Sequence, residues 1–281
     1  MTIGRLVLVA TPIGNLGDLS PRAVEALRDA DVICAEDTRR TRVLLTHAGV
    51  TGRRRLVALH EHNERQRAAD LVGDIQRGAH VAYVTDAGTP GVSDPGARLV
   101  RVVAEAGLEV WVVPGPSAAL AALVLSGFPI DRFAFEGFLP RKGKERKTRL
   151  AELAREARTT VLFESPHRLV DTIRDLADVC GSERPLAIAR EITKVHEEVF
   201  RGTLGESLTH VLEIEPRGEH ALVLGGAPPS DAPSDADVAA AARDALEGGG
   251  TARDAAAAVA DELGITRKRA YAAVLAERNA R

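Results

Sequence analysis

Short, unbroken apolar runs alternate with amphipathic stretches over the first 113 residues, and this rhythm constrains the fold more than any other feature of the chain. The runs fall at residues 6–10, 32–35, 56–59, 81–84 and 110–113. A run that is apolar throughout, rather than at every second residue, suits a strand covered on both faces, as in a parallel sheet. Between the runs lie helix signals. Ser20-Pro21 starts one whose apolar side is Ala23, Val24, Ala26 and Leu27, and a second passes through Val43, Leu44 and Leu45 to stop near Gly49. A third spans about 64–76 and a fourth begins near Ala97. Strand–helix alternation of this regularity predicts an α/β fold with a doubly wound parallel sheet. Right-handed crossovers then gather the loops at 11–17, 36–40, 86–96 and 114–118 on one rim.

The loop Thr85-Asp86-Ala87-Gly88-Thr89-Pro90-Gly91-Val92-Ser93-Asp94-Pro95-Gly96 carries three glycines and two prolines. Its path is bent and stiffened, and bare backbone can approach a ligand there. Asp94 is expected to cap the helix that follows, with Pro95 at its first position. In Pro114-Gly115-Pro116-Ser117-Ala118, Ser117 is expected to cap a helix whose free N–H groups suit a carboxylate or phosphate. Glu36 or Asp37 would serve as a ribose clamp in a dinucleotide fold, but Thr11-Pro12-Ile13-Gly14 is not the glycine fingerprint of such folds.

Phe128-Pro129-Ile130 breaks the rhythm and opens a second α/β region. A strand at 133–138 holds three of the six Phe, and the most basic segment, 139–149, follows it. Arg141, Lys142, Lys144, Arg146 and Lys147 are read as RNA contacts, with a solvated loop and helix start as the alternative. Further strands are expected at 160–163, 186–189, 197–202 and 219–225, with helices ending near Gly181 and Leu212. Pro- and Ser-rich residues 228–236 read as a linker. Alanine-rich helices at 238–246, 252–263 and 267–280 follow, with a glycine break at 248–250. The expected domains are thus 1–116, 117–227 and a small helical module at 237–281, which suits either nucleic-acid binding or a plain cap.

Composition narrows the function classes. With a net charge of -3, nucleic-acid contact has to come from local patches. No apolar run approaches a membrane span and the N-terminus shows no signal-peptide pattern. Cys34 and Cys180 lie far apart without a CxxC, so free thiols in a reducing cytoplasm and no metal site are expected. His60-Glu61-His62-Asn63 lacks ligand spacing and reads as solvent-facing or substrate-contacting.

Six blocks, in order, carry a family resemblance: residues 11–16, Glu36-Asp37-Thr38-Arg39, 86–91, Ser93-Asp94-Pro95-Gly96, 114–118 and Phe163-Glu164-Ser165-Pro166-His167-Arg168. Together the sequence resembles the tetrapyrrole methylase superfamily. Within it, the chain resembles the branch that methylates a cytidine ribose 2′-oxygen in small-subunit (16S) ribosomal RNA. The resemblance implies two α/β domains with S-adenosylmethionine in the cleft between them, a homodimer, the small ribosomal subunit or 16S rRNA as partner, and no membrane. It also implies cofactor contacts at Ile13, Asp86, Gly88, Thr89, Val92, Ser117 and Ala118, and at Leu162, Phe163, Ala189, His220 and Ala221 from the second domain. Gly88-Thr89-Pro90 stands where the superfamily commonly has Gly-Asp-Pro, a departure typical of the RNA-acting branch that removes a carboxylate from the site.

Methyl transfer to a ribose hydroxyl needs in-line alignment plus a group that takes the proton or steadies the developing alkoxide. Glu36, Asp37, His60, Asp94, Glu164, Arg190, Glu191 and Lys194 all fall near expected strand ends, and spacing does not choose among them. Glu36 or Asp37 is expected to face the acceptor, with Arg190 or Lys194 as electrostatic support. A tetrapyrrole precursor as acceptor, or a non-catalytic RNA-binding assembly protein, are the competing readings. The basic segment argues against the first, and turnover would exclude the second.

Overall fold

The computed structural model describes residues 4–52, 54–60, 63–214, 216–228, 233–249 and 251–279. Its first sheet contains β1 (Arg5–Val9), β2 (Val32–Ala35), β3 (Arg55–Ala58), β4 (His80–Val84) and β5 (Glu109–Val113), close to the apolar runs in the sequence. The strand order is β3-β2-β4-β1-β5 and every pairing is parallel. Helices α1 (Pro21–Asp29), α2 (Thr38–His47), α3 (Glu64–Gln76) and α4 (Ala97–Glu105) connect the strands. Alternate residues of β1, β2 and β4 feed two cores, which is why those runs are apolar at every position, whereas β5 at the sheet edge leaves Trp111 and Val112 about half exposed. Cys34, Val81 and Tyr83 pack with Leu71, Ile75, Leu99 and Val103 of α3 and α4. Ile33, Val9 and Val84 pack with Leu27 and Leu44 of α1 and α2.

The local starts follow the sequence in one helix and not in another. Ser20 caps α1 by accepting the Ala23 N–H at 3.1 Å, with Pro21 at the first position. Asp94 does not cap α4. That helix starts after Gly96, whose φ of +119° lies in the left-handed region, and no side chain from its own loop caps it. Glu64, at the start of α3, accepts the N–H of Gly96 at 3.1 Å and of Leu99 at 3.0 Å instead.

Helix α5 (Ala118–Ser126) leads into the second sheet and packs on it. That sheet contains β6 (Phe133–Phe138), β7 (Thr159–Glu164), β8 (Pro185–Arg190), β9 (Glu198–Thr203) and β10 (His220–Leu224), in the order β6-β7-β10-β8-β9. Only β6 and β7 are parallel; the other pairings are antiparallel. Ala119, Ala122 and Leu123 of α5 cover one face. The opposite face packs on α6 (Gly143–Arg155), α7 (Leu169–Cys180) and α8 (Leu204–Glu213) through Leu150, Leu153, Ile173, Leu176, Leu204 and Val211.

Contacts divide the chain at Gly226, and both sheets lie in the first compact unit. The second unit packs α9 (Asp235–Glu247), α10 (Ala252–Leu263) and α11 (Arg267–Asn279) around Val238, Ala242, Val259 and Val274. Its first helix starts inside the expected linker, because Ser234 and Asp237 form a reciprocal cap. Linker residues 229–232, Glu61 and His62 of the histidine pair, Gly250 of the glycine break and Ala280 at the end of the last expected helix lie outside the described residues. Among the described residues, no helix is long and apolar enough to cross a membrane.

Candidate active site

The first sheet reverses its winding between β1 and β4, since β1 leads to β2 on one side and β4 leads to β5 on the other. Loops leaving adjacent strands in opposite directions open a crevice at the strand ends, where α/β sheets bind ligands. Here the two loops are tied by reciprocal hydrogen bonds, Thr11 N–H to Gly88 O at 2.9 Å and Gly88 N–H to Thr11 O at 3.1 Å. Gly88 has φ +81°, so its backbone faces the crevice in a conformation that side chains resist. Gly115 is bare for a different reason: a Cβ there would stand 2.9 Å from the Ala10 Cβ.

The second sheet closes the crevice. Antiparallel register sets the start of β10 beside the ends of β7 and β8, pairing His220 with Glu164 and Arg190, and Ala221 with Phe163 and Ala189. The result is a cavity of about 320 Å³. Ile13, Val92, Phe163, Ala189, Ile192 and Ala221 give it apolar walls, while Ser117 and Ala118 bring the N-terminus of α5 to its edge. Ser117 Oγ accepts the Leu120 N–H at 3.4 Å, leaving the first N–H groups of α5 for a ligand. His220 is buried, its Nδ1 lacks a hydrogen-bond partner of good geometry, and burial holds the ring below its ordinary pKa.

A carboxylate group lies on the first-sheet side. Thr85 Oγ1 is 2.9 Å from Glu36 Oε2 and 2.7 Å from Asp94 Oδ2. Burial, with Glu36 and Asp86 nearby, raises Asp94 to about 6 although the Thr85 hydrogen bond opposes it. Ser93, beside it, has φ +60°, a costly conformation for a residue with a side chain.

A second cavity of about 310 Å³ adjoins the first and shares Ile13, Ala87 and Glu219 with it. Pro12, Leu16, Val43 and Leu44 line it, together with Arg40, Thr41, Asp86 and Lys194. Lys194 Nζ donates to Glu191 Oε1 at 2.9 Å and Glu219 Oε2 at 3.0 Å, and its stem lies so close to Gly14 that a Cβ there would overlap it. Glu191 and Thr193, flanking Ile192, have φ +50° and +70°, so this turn is held in an uncommon shape.

Most residues expected at a cofactor meet in the first cavity: Ile13, Gly88, Thr89, Val92, Ser117, Ala118, Phe163, Ala189, His220 and Ala221. Two do not. Leu162 points to the opposite face of β7, into the core with Ile173 and Leu222. Asp86 lines the second cavity, with Oδ1 accepting the Asp37 N–H at 3.0 Å.

Among the expected catalytic groups, Glu36 reaches Thr85, whereas Asp37 caps α2 and pairs with Arg39, which holds its carboxyl below the usual range. Arg190 is engaged by the Arg217 carbonyl and Glu198, whereas Lys194 lines the second cavity and Asp94 and Glu164 line the first. In the basic segment Arg141, Lys142, Lys144 and Lys147 are exposed. Arg146 is buried and turns inward to Asp175, Thr172 and the Pro140 carbonyl. Its position four residues before Leu150 and seven before Leu153 marks it as core-facing. Phe138, Ile192 and Glu219 line the first cavity without having been singled out as site residues. Phe138 is the last aromatic of its strand and packs 5.7 Å from the Phe163 ring.

Comparison with known proteins matches a family model for tetrapyrrole (corrin/porphyrin) methylases over residues 5–207. The chain belongs to the tetrapyrrole methylase family. Among its relatives is the ribosomal RNA small subunit methyltransferase I of Synechocystis sp., 46% identical over 271 residues, which cover 96% of each chain. The enzyme of the same name from Mycobacterium tuberculosis is 52% identical over 206 residues, covering 73% of this chain and 72% of that one. A crystal structure of uroporphyrin-III C-methyltransferase from Thermus thermophilus superposes with a TM-score of 0.54 at 25% identity, covering 79% of this chain and 94% of that one. As a tetrapyrrole methylase, the chain keeps its cleft within the matched residues except for the β10 wall at Glu219, His220 and Ala221.

Proposed function

We propose that this chain is an S-adenosylmethionine-dependent methyltransferase that modifies the ribose 2′-oxygen of a cytidine in small-subunit (16S) ribosomal RNA. The observation that carries the reading is the pair of adjoining cavities at the switch point, one for a donor and one for an acceptor. The names of the relatives supply the RNA.

The first cavity suits the donor's chemistry. Its apolar walls fit an adenosine body, the open N–H groups of α5 fit a carboxylate, and the buried His220 ring offers a polar partner. Bound S-adenosylmethionine supplies an activated, electrophilic methyl group. The chain's residues then hold the acceptor in line and exclude water. Asp94, which becomes a carboxylate above about pH 6, accepts the proton leaving the 2′-oxygen, backed by Thr85 and Glu36. Lys194 places a cation on the wall of the neighbouring cavity, where it favours a developing alkoxide.

The exposed Arg141, Lys142, Lys144 and Lys147 contact the RNA backbone on this reading, and the enzyme works in the cytoplasm with its ribosomal substrate. Pairing with a second copy is supported by Leu120 and Val124, one turn apart on α5 and both more than half exposed. Sedimentation of the Leu120→Glu, Val124→Glu double variant checks it: a monomer is expected, and an unchanged dimer removes this face from the interface.

The function is tested by transfer of labelled methyl from S-adenosylmethionine to purified, unmethylated small ribosomal subunits, followed by nuclease digestion. Label in 2′-O-methylcytidine is expected. Absence of label, with the cofactor bound, overturns the reading.

A further inference from the structure

The second cavity holds a charge pair that none of the roles above uses. Arg40, on α2, and Asp86, after β4, both line it, with Arg40 Nη1 3.5 Å from Asp86 Oδ2. Charge-assisted contacts usually close to about 2.7–2.9 Å, so this pair stands open. Asp86 is nonetheless fixed. Its Oδ1 accepts the Asp37 N–H at 3.0 Å, and the carboxylate is only 24% exposed while the Arg40 side chain is 67% exposed. Asp86 is therefore a held acceptor, and Arg40 a donor free to adjust beside it.

We infer that Asp86 and Arg40 read the Watson–Crick edge of the acceptor base and select cytosine over uracil. The inference rests on the proposed RNA methylation and names the pocket that takes the base. Cytosine presents an amino donor next to two acceptors, N3 and O2. A carboxylate beside a guanidinium matches that order, with Asp86 Oδ2 taking the amino hydrogen and Arg40 donating to N3 and O2. Uracil presents a carbonyl oxygen to Asp86 and an N3–H to Arg40, so these two contacts turn repulsive and only the Arg40 contact to O2 survives. A site built around polar partners rejects the analogue that leaves them unpaired.

The placement suits the chemistry. The two cavities share Ile13, Ala87 and Glu219, so a base seated at Asp86 leaves its ribose at the junction with the donor cavity. Pro12, Leu16 and Leu44 supply apolar surface for the face of the ring, and Lys194 stands at the junction end beside Glu219. A volume of about 310 Å³ admits a single splayed nucleotide rather than a stacked helix.

The test uses reconstituted small subunits with either cytidine or uridine at the position the wild-type enzyme methylates. Wild-type kcat/KM is expected to favour cytidine by roughly 10–100-fold. In Asp86→Asn the carbonyl oxygen stays on the Asp37 N–H, so the amide NH2 faces the base and the donor pattern reverses. Cytidine turnover is expected to fall roughly 10–100-fold, and the cytidine-to-uridine ratio to collapse or invert. Cofactor Kd, measured by calorimetry, stays within about twofold of wild type, since Asp86 lies outside the donor cavity. Arg40→Met is the second variant and is expected to lower the same ratio with cofactor binding kept. An unchanged ratio in Asp86→Asn overturns the inference, as does wild-type methylation of uridine at the cytidine rate. Where Asp86→Asn loses cofactor binding, an unchanged ratio in Arg40→Met overturns it. A wild-type enzyme that methylates no subunit overturns the proposed function itself, which is a distinguishable result.

Discussion

Thr85 Oγ1 lies 2.7 Å from Asp94 Oδ2, and Glu36 Oε2 stands 2.9 Å from the same hydroxyl. A hydroxyl carries one proton, so both contacts are hydrogen bonds only when one carboxyl is the acid. Burial, with Glu36 and Asp86 adding to it, raises the Asp94 pKa from 3.8 to about 6. The folded protein therefore holds this proton more tightly than the unfolded chain. The stabilisation is fully present below pH 3.8 and is lost as pH rises through about 6. Asp94→Asn removes the titration. Its melting temperature is expected to gain on wild type between pH 4.5 and 7.5, as followed by calorimetry. Parallel curves for the two proteins would remove Asp94 from the balance.

The same titration acts on turnover with the opposite sign. A base has to be ionised to accept the ribose proton, so kcat/KM is expected to climb through about pH 6 and level off above it. Asp94→Asn is expected to lower the plateau by roughly 10²–10⁴-fold and to abolish that limb. A full-rate variant with an unchanged pH profile assigns the proton to another group.

Glu64 shows where reading the sequence stops. The central strands β1, β2 and β4 are legible because their continuous apolar runs report burial on both faces, and Glu64–Gln76 is legible from its own pattern, whereas the apolar run of the edge strand β5 leaves Trp111 and Val112 about half exposed. The start of α4 is not legible. Asp94-Pro95 has the composition of a cap, but Ser93 and Gly96 both take positive φ, which turns Asp94 away towards Thr85. The carboxylate that serves the helix comes from 32 residues upstream, a contact that only the folded sheet creates. Leu162 and Asp86 fall outside the first cavity for a related reason. Leu162 lies in β7, where neighbouring residues face opposite ways, and Asp86 lies in the loop after β4, and a block of family resemblance marks a stretch without saying which side chain looks into the cavity. Glu64→Ala is accordingly expected to cost about 1–2 kcal/mol in urea unfolding. A change under about 0.3 kcal/mol would mean water serves those N–H groups equally well.

Gly88 tests the donor cavity apart from the chemistry. Its φ of +81° excludes β-branched residues without strain, and a Cβ there would stand 3.4 Å from Ile13 Cγ2. Gly88→Val is expected to raise the cofactor Kd at least about tenfold, because the strained loop shifts and the branched side chain crowds the cavity. Far-ultraviolet circular dichroism should show the sheet retained. Unchanged calorimetric binding would take this loop out of the site.

Arg146 and its exposed neighbours separate stability from RNA contact within one basic run. Arg146 donates to Asp175 at 2.8 Å, Thr172 at 3.1 Å and the Pro140 carbonyl at 3.0 Å, and it is buried against α7. Arg146→Met leaves those acceptors unserved, and a loss of about 1.5–3 kcal/mol is expected in urea unfolding. Arg141, Lys142 and Lys144 are exposed, so replacing all three with Gln should leave stability within about 0.5 kcal/mol. Their effect is expected in the salt dependence of RNA binding. Each lost phosphate contact flattens the plot of log K against log salt by about 0.9 for duplex or 0.7 for single-stranded RNA-like backbones. Filter binding to small-subunit RNA across a salt series reads that slope directly. An unchanged slope in the triple variant, with normal turnover, would make the segment a solvated face and leave RNA recognition to the cavities and other surfaces.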